Sequence, residues 1–230
     1  MPVQITKEKF VQFTYDPDYL YWFKSEDTIT DTNLVPEATK FLPTKSFLKV
    51  EGGNVIRGNK KIIMCDKVLK DNITWKNSQT KVIDELLTSF EVEEIIFIPT
   101  HPDDFIGHAD GMIRFIDDDN VIINDLSNED VDFKNDFISV LKTSKLDYSE
   151  IPYNISKASS DWDARGIYIN YLQMKDIIFL PKFGFIKEDE IVVKTLSKIF
   201  PKTKIVPVLC NEIAKEGGIL NCIAWNIKTE

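Results

Sequence analysis

Apolar residues recur along this chain in an order that repeats. Two short alternating runs, separated by a turn, are followed by apolar positions at helical spacing and then by one more apolar run. The first such unit begins with Val55-Ile56-Arg57, turns at Gly58-Asn59 and returns through Ile62-Ile63-Met64. Val82, Ile83, Leu86, Leu87 and Phe90 then mark one face of a helix, and Ile95 to Ile98 reads as a strand. The second unit pairs Met112 to Phe115 with Val121 to Ile123 across Asp117-Asp118-Asp119-Asn120. Its helix carries Phe133, Phe137, Ile138 and Leu141, and its strand lies near Tyr148 to Ile151. The third pairs Ile167 to Leu172 with Ile177 to Leu180. A helix with Val192, Leu196, Ile199 and Phe200 stops at Pro201, and Ile205 to Val208 closes the unit. After Gly217-Gly218, one more β-rich stretch is expected around Ile223-Ala224-Trp225. At the other end, Val3 to Thr6 and Phe10 to Phe13 predict a hairpin around Lys7-Glu8-Lys9. Tyr15 to Leu48, rich in Pro, Thr and Asp, lacks a helix period and reads as a long irregular connection.

Such self-similarity indicates an α/β repeat architecture of ββαβ units. Each unit is too small to bury its own apolar face, so the units are expected to pack around a common axis. Reactive side chains mark the hairpin entries: Glu51, Asp110, Arg165 and Cys222, at intervals of 59, 55 and 57 residues. In a pseudo-symmetric ring, equivalent positions converge on one pocket. His108 precedes Asp110 in Gly107-His108-Ala109-Asp110. If that segment is extended, residues two apart share a side, and the imidazole and the carboxylate enter one space.

Composition narrows the function classes. The 230 residues form one large domain or two small ones, and we read residues 1–230 as a single domain. A net charge of -9 argues against a nucleic-acid surface and is compatible with a cationic substrate. Three scattered cysteines, Cys65, Cys210 and Cys222, and two histidines make a disulfide framework or a structural zinc site a poor fit. No metal or cofactor is expected. No apolar run is long enough to cross a bilayer and no signal pattern opens the chain, so no membrane partner and a cytoplasmic location are expected.

Each candidate has a plainer alternative. Cys222 lies among Ile219, Leu220, Ile223 and Ala224, and buried cysteines are often small hydrophobes, a description that suits Cys65 and Cys210 better. Glu51 and Asp110 suit turns, and Arg165 suits a pair with Asp161 or Asp163. Asp104 is read as a contact for a cationic substrate tail, against the alternative of a solvated loop acid. Arg165 and Tyr168 are read as covers over the pocket, and His101 beside Pro102 as a loop residue.

Glu51-Gly52-Gly53-Asn54, Gly107-His108-Ala109-Asp110 and Gly217-Gly218-Ile219-Leu220-Asn221-Cys222 resemble three motifs of guanidine-modifying enzymes. The branch they resemble is agmatine deiminase together with the Porphyromonas-type peptidylarginine deiminases. The resemblance implies the pentein α/β-propeller, five ββαβ units around a central site. It also implies roles: Cys222 as nucleophile, His108 as proton donor and then base, Asp110 and Glu51 as guanidinium partners. Paired carboxylates match the planar N–H fork of guanidinium, and a thiolate attacks its carbon.

Two departures stand out. Ile219 interrupts the glycine run, and Asn221 replaces the histidine that usually precedes the cysteine. In the family an Arg-Asp-x-x-Pro stretch, with a further carboxylate ligand, precedes the first hairpin, and Met1-Pro2 resembles its end. The chain is therefore expected to lack the first one to two units. An open edge of that kind invites homo-oligomer formation. The leading reading is a C–N hydrolase that deiminates agmatine, free arginine or peptide-linked arginine. The alternatives are an amidinotransferase or dihydrolase of the same fold, a non-catalytic guanidine-binding protein, and a thiol hydrolase of acyl substrates.

Overall fold

The computed structural model describes residues 2–35, 39, 41–154, 160 and 162–229. Met1 and Asp161, both invoked above, lie outside the described residues. The chain divides into two compact units. The first comprises residues 1–109, 136–140 and 227–230, the second 110–135 and 141–226.

The first unit holds two three-stranded sheets. In one, β1 (Val3–Gln4) pairs antiparallel with β2 (Phe10–Thr14), and β2 runs parallel to β3 (Thr44–Lys49). In the other, β4 (Ile56–Arg57) pairs antiparallel with β5 (Lys61–Cys65), which runs parallel to β6 (Glu94–Ile98) with Ile62 opposite Ile95. A parallel return needs a crossover, supplied here by the Gln79–Phe90 helix. The Ser78 hydroxyl caps its start by accepting from the Lys81 amide at 3.3 Å, and Glu91 ends it in the left-handed region. Val82, Leu86 and Phe90, four residues apart, are fully buried. They pack with Ile62, Met64 and Leu48 in one core, each worth about 1.5–3 kcal/mol of burial.

The second unit repeats the plan. β7 (Ile113–Phe115), β8 (Asn120–Asn124) and β9 (Asp147–Ile151) form one sheet, with the Val131–Thr143 helix between β8 and β9. β10 (Leu172–Met174), β11 (Ile177–Lys182) and β12 (Lys204–Leu209) form the other, with the Ile186–Ile199 helix as crossover. The middle strands β5 and β8 are buried along four consecutive residues, the pattern of strands covered on both faces.

The structure corrects the expected elements in four places. Tyr15 to Leu48 is not wholly irregular: it contains a short helix, Asp18–Trp22, and strand β3. β3 reads as loop in sequence because only Ser46 and Leu48 are buried, while Lys45, Phe47 and Lys49 are exposed. The N-terminal hairpin and β3 therefore complete a fourth three-stranded unit. At the other end, Ile223-Ala224-Trp225 forms no strand. Ile219 to Ala224 is a turn in which Ile223 and Ala224 donate to the carbonyls of Ile219 and Asn221. Ile167 to Tyr171 lies outside β10; only Ile167 makes an isolated bridge, to Tyr153. Finally, the Gly-His-Ala-Asp segment is not extended. Gly107 has φ +73° and Ala109–Gly111 is a 3-10 turn, so the two-residue alternation does not apply.

Among the described residues, no helix is long and apolar enough to cross a membrane, and no group of three or more His, Cys, Asp or Glu is placed to hold a metal ion.

Candidate active site

The expected site residues fall into two groups, one in each unit, and the chain passes between the units from Ala109 to Asp110. In the first unit, Glu51 precedes the 3-10 turn Gly52–Asn54, and its carbonyl accepts from the Asn54 amide at 3.0 Å. Asn54 anchors this turn to the end of β5, accepting from the Cys65 amide at 2.6 Å and donating to its carbonyl at 3.4 Å. Glu51 Oε2 accepts from the Tyr19 hydroxyl at 3.0 Å and from His108 Nε2 at 3.2 Å. Burial and then the Glu51 charge push the Tyr19 hydroxyl pKa up, so it stays a proton donor. The other imidazole nitrogen lies against Gly53: a methyl group there would come within 2.4 Å of Nδ1.

Asp104, expected to contact a substrate tail, has a local structural role. Its two oxygens accept from the backbone amides of Ile106 at 2.9 Å and His108 at 3.1 Å, which fixes the loop that presents the imidazole. His101 is a loop residue, as expected, and its Nδ1 accepts from the Asp103 amide.

In the second unit, Asp110 is buried, 3% exposed. Its Oδ2 accepts from Asn221 Nδ2 at 2.8 Å and lies 4.0 Å from Cys222 Sγ. Asn170, equally buried, is the hub of this group. Its Oδ1 accepts from the amides of Asn221 at 3.0 Å and Cys222 at 3.4 Å, and from the Cys222 thiol at 3.4 Å. Close approach of the chain at Gly218, where a Cβ would sit 3.1 Å from that of Cys222, permits this turn. Cys222 is the exposed cysteine, whereas Cys65 and Cys210 are buried, which bears out the expected division between them.

Arg165 makes the pair with Asp163 that the sequence offered as its alternative. The Arg165 guanidinium grips Asp163, with Nε at 2.9 and 3.0 Å from the two oxygens and Nη2 at 2.5 Å. Tyr168 is fully buried and donates to Asp189 Oδ1 at 2.7 Å. Three participants escaped the sequence reading: Tyr19, Asn170 and the amide role of Asn221. Asn170 carried a signal, because it stands 60 residues after Asp110 and 52 before Cys222, close to the repeat interval.

The surroundings of Cys222 are rich in acceptors. Its sulfur, facing Asn170 and Asp110, has a pKa pushed up, first by desolvation and then by the Asp110 charge. Neutralising that charge favours the thiolate. Asp110→Asn is therefore expected to lower the Cys222 pKa and to speed its alkylation by iodoacetamide several-fold near pH 8. A pH–rate profile followed by peptide mass spectrometry checks this; an unchanged midpoint contradicts it.

The sequence pattern of Porphyromonas-type peptidyl-arginine deiminase matches residues 1–227. A predicted agmatine deiminase of Mycoplasma mycoides is 25% identical over 212 residues, covering 76% of this chain and 56% of the relative. The chain thus spans about half the length of the curated relatives it matches. Agmatine deiminase of C. jejuni superposes with a TM-score of 0.70 at 22% identity, over 93% of this chain and 65% of that one. The Enterococcus faecalis enzyme gives 0.75 at 18% identity, over 96% and 70%. The fold is shared with these enzymes, and the match over nearly the whole sequence places the chain in a family: it belongs to the Porphyromonas-type peptidyl-arginine deiminases.

Proposed function

We propose that the chain hydrolyses a guanidine C–N bond, releasing ammonia and leaving a ureido product, with agmatine or an arginine side chain as substrate. The observation that carries this reading is the pair of side-chain oxygens, one of them a carboxylate, that faces an exposed cysteine. Asp110 Oδ2 and Asn170 Oδ1 both face Cys222 Sγ. A carboxylate and an amide oxygen beside the nucleophile suit a planar cation made of N–H donors. They suit a developing acyl oxyanion poorly, since that needs donors. The thiol acyl-hydrolase alternative is disfavoured on that ground.

In this reading the Cys222 thiolate attacks the guanidinium carbon to give a tetrahedral adduct. His108, in its imidazolium form, protonates the departing nitrogen, and ammonia leaves a thiouronium on sulfur. His108, now neutral, takes a proton from water; the hydroxide adds to the carbon, the C–S bond breaks to free the thiolate, and the added hydroxyl loses its proton to the released ammonia or solvent, giving the ureido group. Asp110 and Glu51 pair with guanidinium nitrogens. Glu51 also holds the imidazole through its Nε2. The four three-stranded units are assigned as blades of a pentein propeller, consistent with the fold shared with agmatine deiminases.

Incubating the protein with agmatine, arginine and an arginine-containing peptide, and measuring ammonia and ureido product in parallel, tests the assignment. An acid quench during turnover is expected to trap an adduct on the Cys222 peptide. Equal amounts of ammonia and ureido product support deimination. No product from any of the three substrates removes it.

A further inference from the structure

Glu51 Oε2 joins two partners, Tyr19 and His108, that come from separate segments of the first unit. Both segments rest on one buried side chain that no motif includes. Lys67 is 9% exposed and opens the Lys67–Asn72 helix that follows β5. Its ammonium donates to both oxygens of Asp71 at 2.8 Å and to Asp18 Oδ1 at 3.0 Å. Asp18 begins the short helix that carries Tyr19. The aliphatic stem of Lys67 lies directly under Gly107, where an added Cβ would meet its Cδ at 2.6 Å and its Cβ at 3.0 Å. Gly107, at φ +73°, is the residue from which His108 departs. Thus one lysine touches, by its head, the helix of one Glu51 partner and, by its stem, the turn of the other.

We propose that Lys67 is a positioning residue: it holds Tyr19 and His108 at the distances that let both meet Glu51. The proposal rests on His108 being the proton-transfer group of the proposed reaction. Burial disfavours the Lys67 charge, but the pairs with Asp71 and Asp18 outweigh it and the pKa is raised, so the clamp is charged at neutral pH. Among the described residues, the charged groups on the elements packed against His108 include Glu51 at its ring, Asp104 at its backbone amide and Lys67 beneath Gly107, with Asp18 and Asp71 beyond the ammonium.

The sign of the His108 titration separates positioning from simple charge. Removing a nearby positive charge raises an imidazole midpoint, whereas losing alignment with Glu51 lowers it. The chain has two histidines, so imidazole NMR follows His108 beside His101 as an internal reference. In Lys67→Met we expect the His108 midpoint to fall by about one unit, with His101 unmoved. An unchanged or raised midpoint in the folded variant overturns the proposal. Lys67→Met leaves the half-buried Asp71 carboxylate without the ammonium it pairs with, which is costly. The charge-balanced Lys67→Met/Asp71→Asn protein covers the case in which the single variant does not fold. There a purely coulombic role predicts no change, positioning predicts a fall at least as large, and an unchanged midpoint overturns the proposal. The imidazole reading is independent of turnover, so a chain that deiminates none of the three substrates leaves this test intact.

Discussion

Replacing Cys222 with alanine is expected to lower guanidine turnover by about 10⁴-fold or more, because the covalent step then has no nucleophile. The fold should survive the change. Cys222 is exposed, and the bonds that shape its turn are the amides of Asn221 and Cys222 donating to Asn170, which alanine keeps. Cys222→Ser is expected to be nearly as inactive, since a serine hydroxyl ionises far less readily than a thiol and is a much weaker nucleophile toward a guanidinium carbon. The other two cysteines provide the contrast. Cys65 and Cys210 are buried, and the Cys210 thiol has its pKa raised by that burial. Cys65→Ala and Cys210→Ala should cost stability, about 1 kcal/mol each from the lost packing, while turnover per folded molecule stays within a few-fold. Ammonia release under single-turnover conditions, read beside thermal melts, decides the matter. A Cys222→Ala protein that retains turnover removes the covalent mechanism.

The repeat was the legible part of this chain, for a physical reason. Val82, Leu86 and Phe90 all face one core, so their spacing records the helix. The four consecutive buried positions of β5 and β8 likewise record strands covered on both sides. β3 was illegible because a strand with two buried residues and mostly polar ones has little periodic signal. The reverse error occurred at Ile223, an apolar residue that is 67% exposed in a turn. The candidate residues Glu51, Asp110 and Cys222 could be singled out because they recur at the repeat interval, and His108 because it stands two residues before Asp110. Arg165 recurred there too, but Asp163 holds its guanidinium, and Asn170, five residues on, occupies the place beside Cys222. An asparagine attracts less notice than an arginine, since its role depends on accepting from three donors at once. Tyr19 and Lys67 left no trace in the pattern. One sits on a five-residue helix inside a segment that reads as loop, and the other is a lysine at a helix start, which normally points to solvent. Their importance arises only from packing.

The two glycines of Glu-Gly-Gly-Asn should respond in opposite ways to the same methyl group. At Gly52 an added Cβ meets nothing within 4 Å. At Gly53 it comes within 2.4 Å of His108 Nδ1 and 2.8 and 2.9 Å of the adjoining ring carbons. No such contact is tolerable, and what stands there is a rigid ring rather than the free end of a chain. The imidazole must move, and its 3.2 Å bond to Glu51 Oε2 must lengthen or break. Gly53 does not occupy the left-handed region, so alanine fits its backbone and the change acts on the ring rather than on the fold. Gly53→Ala is therefore expected to lower kcat by about 100-fold, the size of a misplaced proton-transfer group, with KM much less affected. Gly52→Ala should stay within a few-fold of the parent. Steady-state kinetics on both variants, with His108 followed by NMR, makes the comparison internal. Equal losses in the two proteins would mean that the turn itself, and not the placement of His108, is what the second glycine protects.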